Sequence, residues 1–392
     1  MKVLHTVEFY HPSKGGAQEA IRQISEALVR LGHEVTVATT FDPDRNFSEL
    51  NGVKIKEFSI SGNWVSGVKG DLEGYRNFVR NSNFDIVLNY AAQQWTTDAL
   101  LDVLPEIKSK KILVPCGFSG LYNSHYKNYF QKMREWLLLY DSCIFLSRNY
   151  RDYEFAKIVG IKNIQCIPNG ASRAEFELEF DCSLRRQLGI PNDAFLILHV
   201  GSFTKLKGQY EALKIFSLSK IRNSYFLLIG NTSNYFDFLR CKFLCHFINI
   251  KSFFSGSKKK VLIRNLPRES TVAAFHEADL FLFPSRIECS PLVLFEAMAS
   301  KCAFLVSRVG NAEEIISLSN GGFLIEGDLD PLGYSVPNLK NGAKKLSDLW
   351  QNPTLRNESA QNGFLTWQES FTWESIAVRY EHLYKKLISE KI

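Results

Sequence analysis

Twice in this chain a short apolar run leads into a glycine-rich loop and then a helix. The first run is Lys2 to Val7, followed by the loop Glu8 to Lys14 and by Gly15-Gly16. From Ala17 to Leu31, Ile21, Ile24, Leu28 and Leu31 recur at helical spacing, and Gly32 closes the helix before an apolar run from Val35 to Ala38. The second run, Phe195 to Val200, leads into Gly201-Ser-Phe-Thr-Lys205-Leu-Lys207-Gly208 and a helix from Tyr210. Runs this short read as strands, and a strand whose return passes through a helix is a βαβ unit. The pattern commits the chain to parallel sheets wrapped by helices.

Further strands are expected at Val53 to Phe58, Ile86 to Leu88, Lys111 to Val114, Cys143 to Leu146, Tyr225 to Gly230, Ala278 to Phe283 and Ala303 to Val306. Helical stretches such as Gly70 to Arg80 and Thr97 to Val103 separate them. A length of 392 residues, 45% of them hydrophobic, favours two domains. In such sheets ligands sit beyond the carboxyl ends of the strands. That makes Pro115 to His125 a candidate wall of a site.

No apolar run approaches the roughly 20 residues of a membrane span, and the first residues read as a strand rather than a signal peptide. Eight scattered cysteines without a paired framework fit a reducing compartment, so a cytoplasmic protein is expected. The net charge of +6 favours anionic partners. No basic run belongs to a nucleic-acid module, so no nucleic-acid partner is expected.

The apolar run ending at Phe283-Pro284 leads into a polar loop with Glu288 and Cys289, then Ser290-Pro291 and an apolar helix containing Glu296. Ser290 suits an N-cap and Pro291 the first helical position, which leaves the amides of Leu292 and Val293 free. Free amides at the positive end of a helix dipole make a seat for phosphate. Glu288 before the helix and Glu296 about one and a half turns inside it flank that seat. Carboxylates beside a phosphate site accept hydrogen bonds from sugar hydroxyls, which describes a nucleotide sugar. The plainer alternative is a capped helix with solvated glutamates.

This stretch resembles the Glu-x7-Glu motif of retaining, two-domain (GT-B) glycosyltransferases of family 4. The resemblance assigns the donor sugar to Glu288, the ribose to Glu296, and the diphosphate to the backbone of Ser290 to Val293. It also gives Gly310 and Asn311 a contact with the donor sugar, and it places Gly15 and Gly16, with Gln18 beside them, near the donor phosphates and acceptor. Lys207-Gly208 matches the end of the family's Gly-Arg-x4-Lys-Gly segment, whose basic side chains neutralise the leaving diphosphate. Ser202 stands where the family has Arg, and Lys205 is the candidate replacement. Where many members carry a His, this chain has Cys116-Gly117, with Tyr122 and His125 as nearby acceptor-side candidates.

The resemblance implies two Rossmann-like, doubly wound parallel-sheet α/β domains with an interdomain cleft. The acceptor-binding domain is expected over 1–170, the nucleotide-sugar domain over 171–365, and a helix crossing back to the first domain over 366–392. It further implies transfer of a sugar from a nucleotide-sugar donor to a glycan or lipid-linked glycan acceptor, with retention, without metal or other cofactor. Cell-surface polysaccharide synthesis is the expected setting. The rival readings are a non-catalytic partner or regulatory subunit and a nucleotide-sugar epimerase.

Other features have two readings each. Tyr129, Phe130, Met133, Trp136 and Leu137 form a stripe that is either core or a peripheral contact with an anionic membrane at the inner face of the cell membrane. Asn231 to Ser257 reads as an amphipathic helix with Phe236, Leu239, Phe243 and Phe247 as its stripe, followed by a basic loop; a partner, acceptor or membrane contact is the alternative. Cys241, Cys245 and His246 read as packing rather than zinc ligands. His199 reads as a core histidine. Asp42-Pro-Asp44 and Asp328-Leu-Asp330 read as turns. Aromatic residues near the C-terminus, from Phe364 to Tyr384, are expected to pack between domains.

Overall fold

The computed structural model describes residues 1–178 and 183–390. It divides into two units: Met1–Gly170 together with the segment from Trp373, and Ala171–Thr372. The segment Ala171 to Pro191, at the start of the second unit, contains the short helices Arg173–Phe176 and Leu184–Leu188; its residues 179–182 lie outside the described ones.

In the first unit an eight-stranded sheet runs in the order Ile164–Cys166, Ser142–Phe145, Lys110–Val114, Ile86–Tyr90, Lys2–Thr6, Glu34–Thr40, Val53–Phe58, Glu49–Leu50. The pairs are parallel except the last. Val3 lies opposite both Val35 and Ile86, so Lys2–Thr6 is covered on both sides, and Val3 to Thr6 are buried without interruption. A parallel strand between two helical layers has no wet face, which is why its sequence shows no alternation. The one imidazole there, His5, is held between Ser25 Oγ (2.8 Å) and Tyr384 Oη (3.0 Å). Burial lowers its pKa to about 3, so it is neutral.

The helix Gly16–Arg30 buries Ile21, Ile24 and Leu28, and the last helix, Trp373–Ser389, packs against it. The preceding helix, Pro353–Ser370, belongs to the second unit. The bounds 366–392 therefore take in the end of one helix and the whole of another. The aromatic residues divide likewise: Trp367 and Phe371 are buried in the second unit's core, and Tyr380 and Tyr384 in the first unit. Each set packs in the unit to which its helix belongs, and the segment from Trp373 returns to the first unit.

The stripe from Tyr129 to Leu137 is core. Tyr129, Phe130, Met133 and Trp136 are buried, and Trp136 meets Trp64 edge-on at 5.6 Å. A membrane contact through these side chains is overturned, because the first unit already covers them. The helix expected over Thr97 to Val103 is a short turn, Trp95–Asp98, followed by a 3-10 stretch, Leu101–Glu106. Pro105, which lacks an N–H, disfavours a continued α-helix there.

The second unit holds a six-stranded parallel sheet in the order Lys259–Arg264, Ser224–Ile229, Phe195–Val200, Leu280–Phe283, Phe304–Ser307, Gly322–Ile325. His199 is fully buried there, with Nδ1 2.9 Å from the Leu282 carbonyl oxygen and its ring 5.4 Å from that of Phe283. Burial lowers its pKa to about 4.

The helix Tyr235–Ser255 lies within the stretch where one was expected. Cys241, Cys245 and Ile248 face the core, where burial pushes both thiols up to about 12. His246 is exposed, away from them. The stripe of Phe236, Phe243 and Phe247 faces outward instead of packing. The helix has two apolar faces, and the side with small thiols is the one that fits closely on the sheet.

Asp44 N–H donates to Asp42 Oδ1 at 3.0 Å, a turn as expected. Asp328 lies within the strand Gly327–Leu329, and only Asp330 makes the turn, accepting from the amides of Leu332 and Tyr334.

Candidate functional site

In the second unit the strand order runs outward in both directions from the adjacent pair Phe195–Val200 and Leu280–Phe283. The loops leaving the carboxyl ends of these two strands flank a topological switch point, where doubly wound sheets take their ligands. They are Gly201–Gly208 and Pro284–Pro291, and they are pinned together. Arg286 N–H donates to the Leu206 carbonyl (2.8 Å), and Ser285 Oγ lies 3.0 Å from the same oxygen. Gly208 has φ +76°, and a Cβ there would stand 2.1 Å from the Pro284 carbonyl oxygen. Only glycine permits both that conformation and that approach.

This pinning brings Lys207 onto Glu288. The ammonium Nζ lies 2.6 Å from Glu288 Oε1, which is also 3.0 Å from Ser285 Oγ. The Glu288 side chain is 11% exposed and that of Lys207 36% exposed. The carboxylate is held and the ammonium still reaches solvent.

The helix Leu292–Ala299 starts one residue later than expected. Pro291 is its N-cap, with φ −68° and ψ 120°. The Ser290 hydroxyl accepts from Asn311 Nδ2 at 2.8 Å. The amides of Leu292 and Val293 are in the first turn, where no carbonyl of the same helix can accept from them. The Asn311 amide donates to the Cys289 carbonyl at 2.9 Å. Gly310, at φ +49°, passes so close that a Cβ would meet that carbonyl oxygen at 2.1 Å. Glu288, Cys289, Ser290, Gly310 and Asn311 thus form one cluster beside the helix end.

Glu296 lies in the same helix with a side chain 7% exposed, and Arg268 Nη1 stands 2.7 Å from its Oε1. The same guanidinium binds Glu175 Oε2 at 2.7 Å and lies over the Phe176 ring at 5.5 Å. Burial alone would lower the Arg268 pKa; the charges of Glu296 and Glu175 outweigh it and raise it. Arg268 was not legible as a site residue. It sits at the start of a helix, Arg268–Glu277, distant in sequence from Glu296, and no spacing rule links the two.

The Ser202 carbonyl accepts from Gln209 Nε2 at 2.8 Å. Lys205 is exposed and lines a shallow depression with Tyr210, Glu211, Asp237 and Arg240.

The first unit has its own switch point, between Lys2–Thr6 and Ile86–Tyr90. Gly15 and Gly16 lie beyond the first of these strands, with Gly16 opening the helix. Gly15 is in extended backbone that any residue adopts, and a Cβ there would meet only the Gln18 side chain. Glu8, in the same loop, has its carboxyl pKa raised by burial and by Asp98. Cys116 and Gly117 follow the strand Lys110–Val114 with positive φ of 57° and 99°. Gly117 N–H donates to Asp152 Oδ2 at 2.8 Å. Burial and the Asp152 charge push the Cys116 thiol well up, so it is no nucleophile at neutral pH. Tyr122 and His125 lie farther along on an exposed stretch, Tyr122 under the Arg151 guanidinium at 5.0 Å.

The second unit therefore offers an ammonium and first-turn amides for an anion, with a held carboxylate on either side for hydroxyls. The family model for glycosyl transferases group 1 matches residues 182–363, and that for glycosyltransferase family 4 matches residues 14–175. The chain is 24% identical to an uncharacterised glycosyltransferase of Methanocaldococcus jannaschii over 98% of both proteins. It is 25% identical to the capsular polysaccharide biosynthesis glycosyltransferase CapM of Staphylococcus aureus over 51% of each. Among solved structures it resembles sucrose-phosphate synthase from Thermosynechococcus elongatus, with a TM-score of 0.77 and 18% identity over 100% of both chains. It also resembles Anabaena HepE in complex with UDP-glucose, with a TM-score of 0.69 and 15% identity over 98% of this chain and 100% of that one. These likenesses give the GT-B fold.

Proposed function

The chain belongs to the group 1 glycosyltransferases, and we propose that it moves a sugar from a nucleotide-sugar donor to a hydroxyl of a glycan or lipid-linked glycan, with retention of configuration. The observation that carries this reading is the arrangement around one helix start: Lys207 on Glu288, the amides of Leu292 and Val293, and Glu296 farther in. Sugar, diphosphate and ribose would be met in that order. The bond from the anomeric carbon to the diphosphate oxygen breaks, and the acceptor oxygen bonds the same carbon on the same face. The acceptor's proton passes to the leaving phosphate. Charge developing on that phosphate is stabilised by Lys207 and the helix amides, so no metal ion is called for.

The complex of HepE with UDP-glucose makes a uridine nucleotide the first donor to try, and the name of CapM supports a setting in surface polysaccharide synthesis. Among the described residues no helix is long and apolar enough to cross a membrane. The proposed setting is cytoplasmic, with a peripheral contact at the inner face of the membrane for a lipid-linked acceptor. A panel of nucleotide sugars is to be tested with lipid-linked and free glycans, reading nucleoside diphosphate release and the product's anomeric configuration by NMR. Retained configuration with stoichiometric release supports the reading; inversion overturns the mechanism.

A second reading, a non-catalytic subunit, has one observation in its favour: Ser202 stands where the resembled family has a phosphate-binding Arg. Turnover with any donor would exclude it.

A further inference from the structure

The helix Tyr235–Ser255 carries an exposed phenylalanine ridge. Phe236, Phe243, Phe247 and Phe254 are 83%, 74%, 60% and 81% exposed. Steps of seven, four and seven residues keep them in one narrow stripe, about 27 Å long at 1.5 Å per residue. The opposite face is fixed in the core through Cys241, Cys245 and Ile248, so the helix cannot turn the ridge inward without unfolding its own packing. An apolar line of this length on a surface marks something that covers it.

The surrounding charge says what that is. Asp237 is the one acidic residue of the helix, and from Phe238 to Arg268 the sequence holds no Asp or Glu. Lys242, Lys251, Lys258 and Lys260 are all exposed in that stretch. Lys259 is not part of the set, because its ammonium is tied to the carbonyls of Phe216 and Ser219. Aromatic side chains projecting singly from a convex ridge suit insertion between lipid chains. The lysines beside them suit the phosphates above.

We infer that the ridge Phe236–Phe243–Phe247–Phe254 with its flanking lysines is a docking surface for an anionic bilayer, the helix lying in the headgroup plane. Its purpose rests on the proposed lipid-linked acceptor, but its evidence does not. It gives the membrane contact a place in the second unit, far in sequence from the stripe at Tyr129 to Leu137 that proved to be core.

The test is co-sedimentation of the full chain with vesicles rich in phosphatidylglycerol and with vesicles of phosphatidylcholine alone. Wild type is compared with Phe243→Ser/Phe247→Ser and with Lys258→Glu/Lys260→Glu, and each is also checked for nucleotide-induced thermal stabilisation and for mass in solution. Binding to the anionic vesicles should weaken with salt and fall at least about tenfold in both variants, while nucleotide stabilisation stays as in wild type. Wild type that ignores anionic vesicles at low salt overturns the inference. So do variants that bind like wild type, or a dimer that the phenylalanine variant dissolves, which would make the ridge a self-association surface. Loss of nucleotide stabilisation in wild type would instead strike the donor-site reading, so the two failures are distinguishable.

Discussion

The Lys207 ammonium stands 2.6 Å from Glu288 Oε1, although the two residues come from loops after different strands. The pair is held by loop-to-loop bonds from the Arg286 amide and the Ser285 hydroxyl to the Leu206 carbonyl, so the charge that the proposed transfer calls for on a departing diphosphate would be in place before any ligand arrives. Replacing Lys207 by Met should lower kcat by roughly 10²- to 10³-fold, the usual effect of removing one preorganised stabilising group. Single-turnover kinetics with whichever donor the nucleotide-sugar panel identifies would read it. A variant with unchanged kcat would take Lys207 out of the mechanism.

Arg268 joins Glu296 to Glu175, and its loss leaves the Glu296 carboxylate, 7% exposed, without that cation. Arg268→Leu should destabilise the protein by roughly 1 to 3 kcal/mol, less than a fully buried pair because the Arg side chain is itself 43% exposed. Urea denaturation measures that term. Nucleotide affinity should fall as well, with Arg268→Lys recovering part of it, since a purely structural role would leave affinity in the folded fraction untouched.

Asp152 is buried against the candidate acceptor-side turn, and burial raises its carboxyl pKa to about 7 in spite of the amide bonds from Gly117 and Tyr153. The folded state therefore holds this proton over a range where the unfolded chain has lost it. The sign follows: between about pH 4 and pH 7 the group's contribution to stability falls as pH rises, and it levels off above. Wild type should lose more stability than Asp152→Asn between pH 5 and pH 8 in paired melts. Parallel pH curves would contradict the assignment.

Gly310 lies at φ +49° against the Cys289 carbonyl. Gly310→Ala must move one of them, at a cost on the order of 1 to 3 kcal/mol. Because Cys289 is next to Glu288, donor affinity should drop more than global stability does. Calorimetric titration beside a thermal melt separates the two.

Some of this was legible in the sequence and some was not, for physical reasons. The strands Val53–Phe58 and Phe195–Val200 have the expected bounds because apolar runs between turn residues fix strand ends sharply. The pairing of Glu288 and Glu296 around a helix start follows from spacing along one loop and helix. What spacing cannot carry is contact between distant segments, so Arg268 on Glu296 and Asn311 on Ser290 emerged only in three dimensions. Nor can periodicity choose between two apolar faces of one helix. The spacing of Phe236, Phe243 and Phe247 left open whether that stripe packs or meets a partner, and in the structure Cys241 and Cys245 take the packed side. The start of the helix at Leu292 rather than Pro291 is a smaller case, and the bond from Asn311 to the Ser290 hydroxyl joins segments that no local spacing connects.

The measurement that bears most directly on a nucleotide-sugar site in the second unit is a thermal-shift panel of UDP, GDP, ADP and dTDP, with and without chelator, on wild type and Glu296→Ala. One nucleotide should stabilise wild type by about 2.7 kcal/mol at one hundred times its Kd, unchanged by chelator and absent in the variant. No shift with any of the four, or an equal shift in Glu296→Ala, would contradict the account.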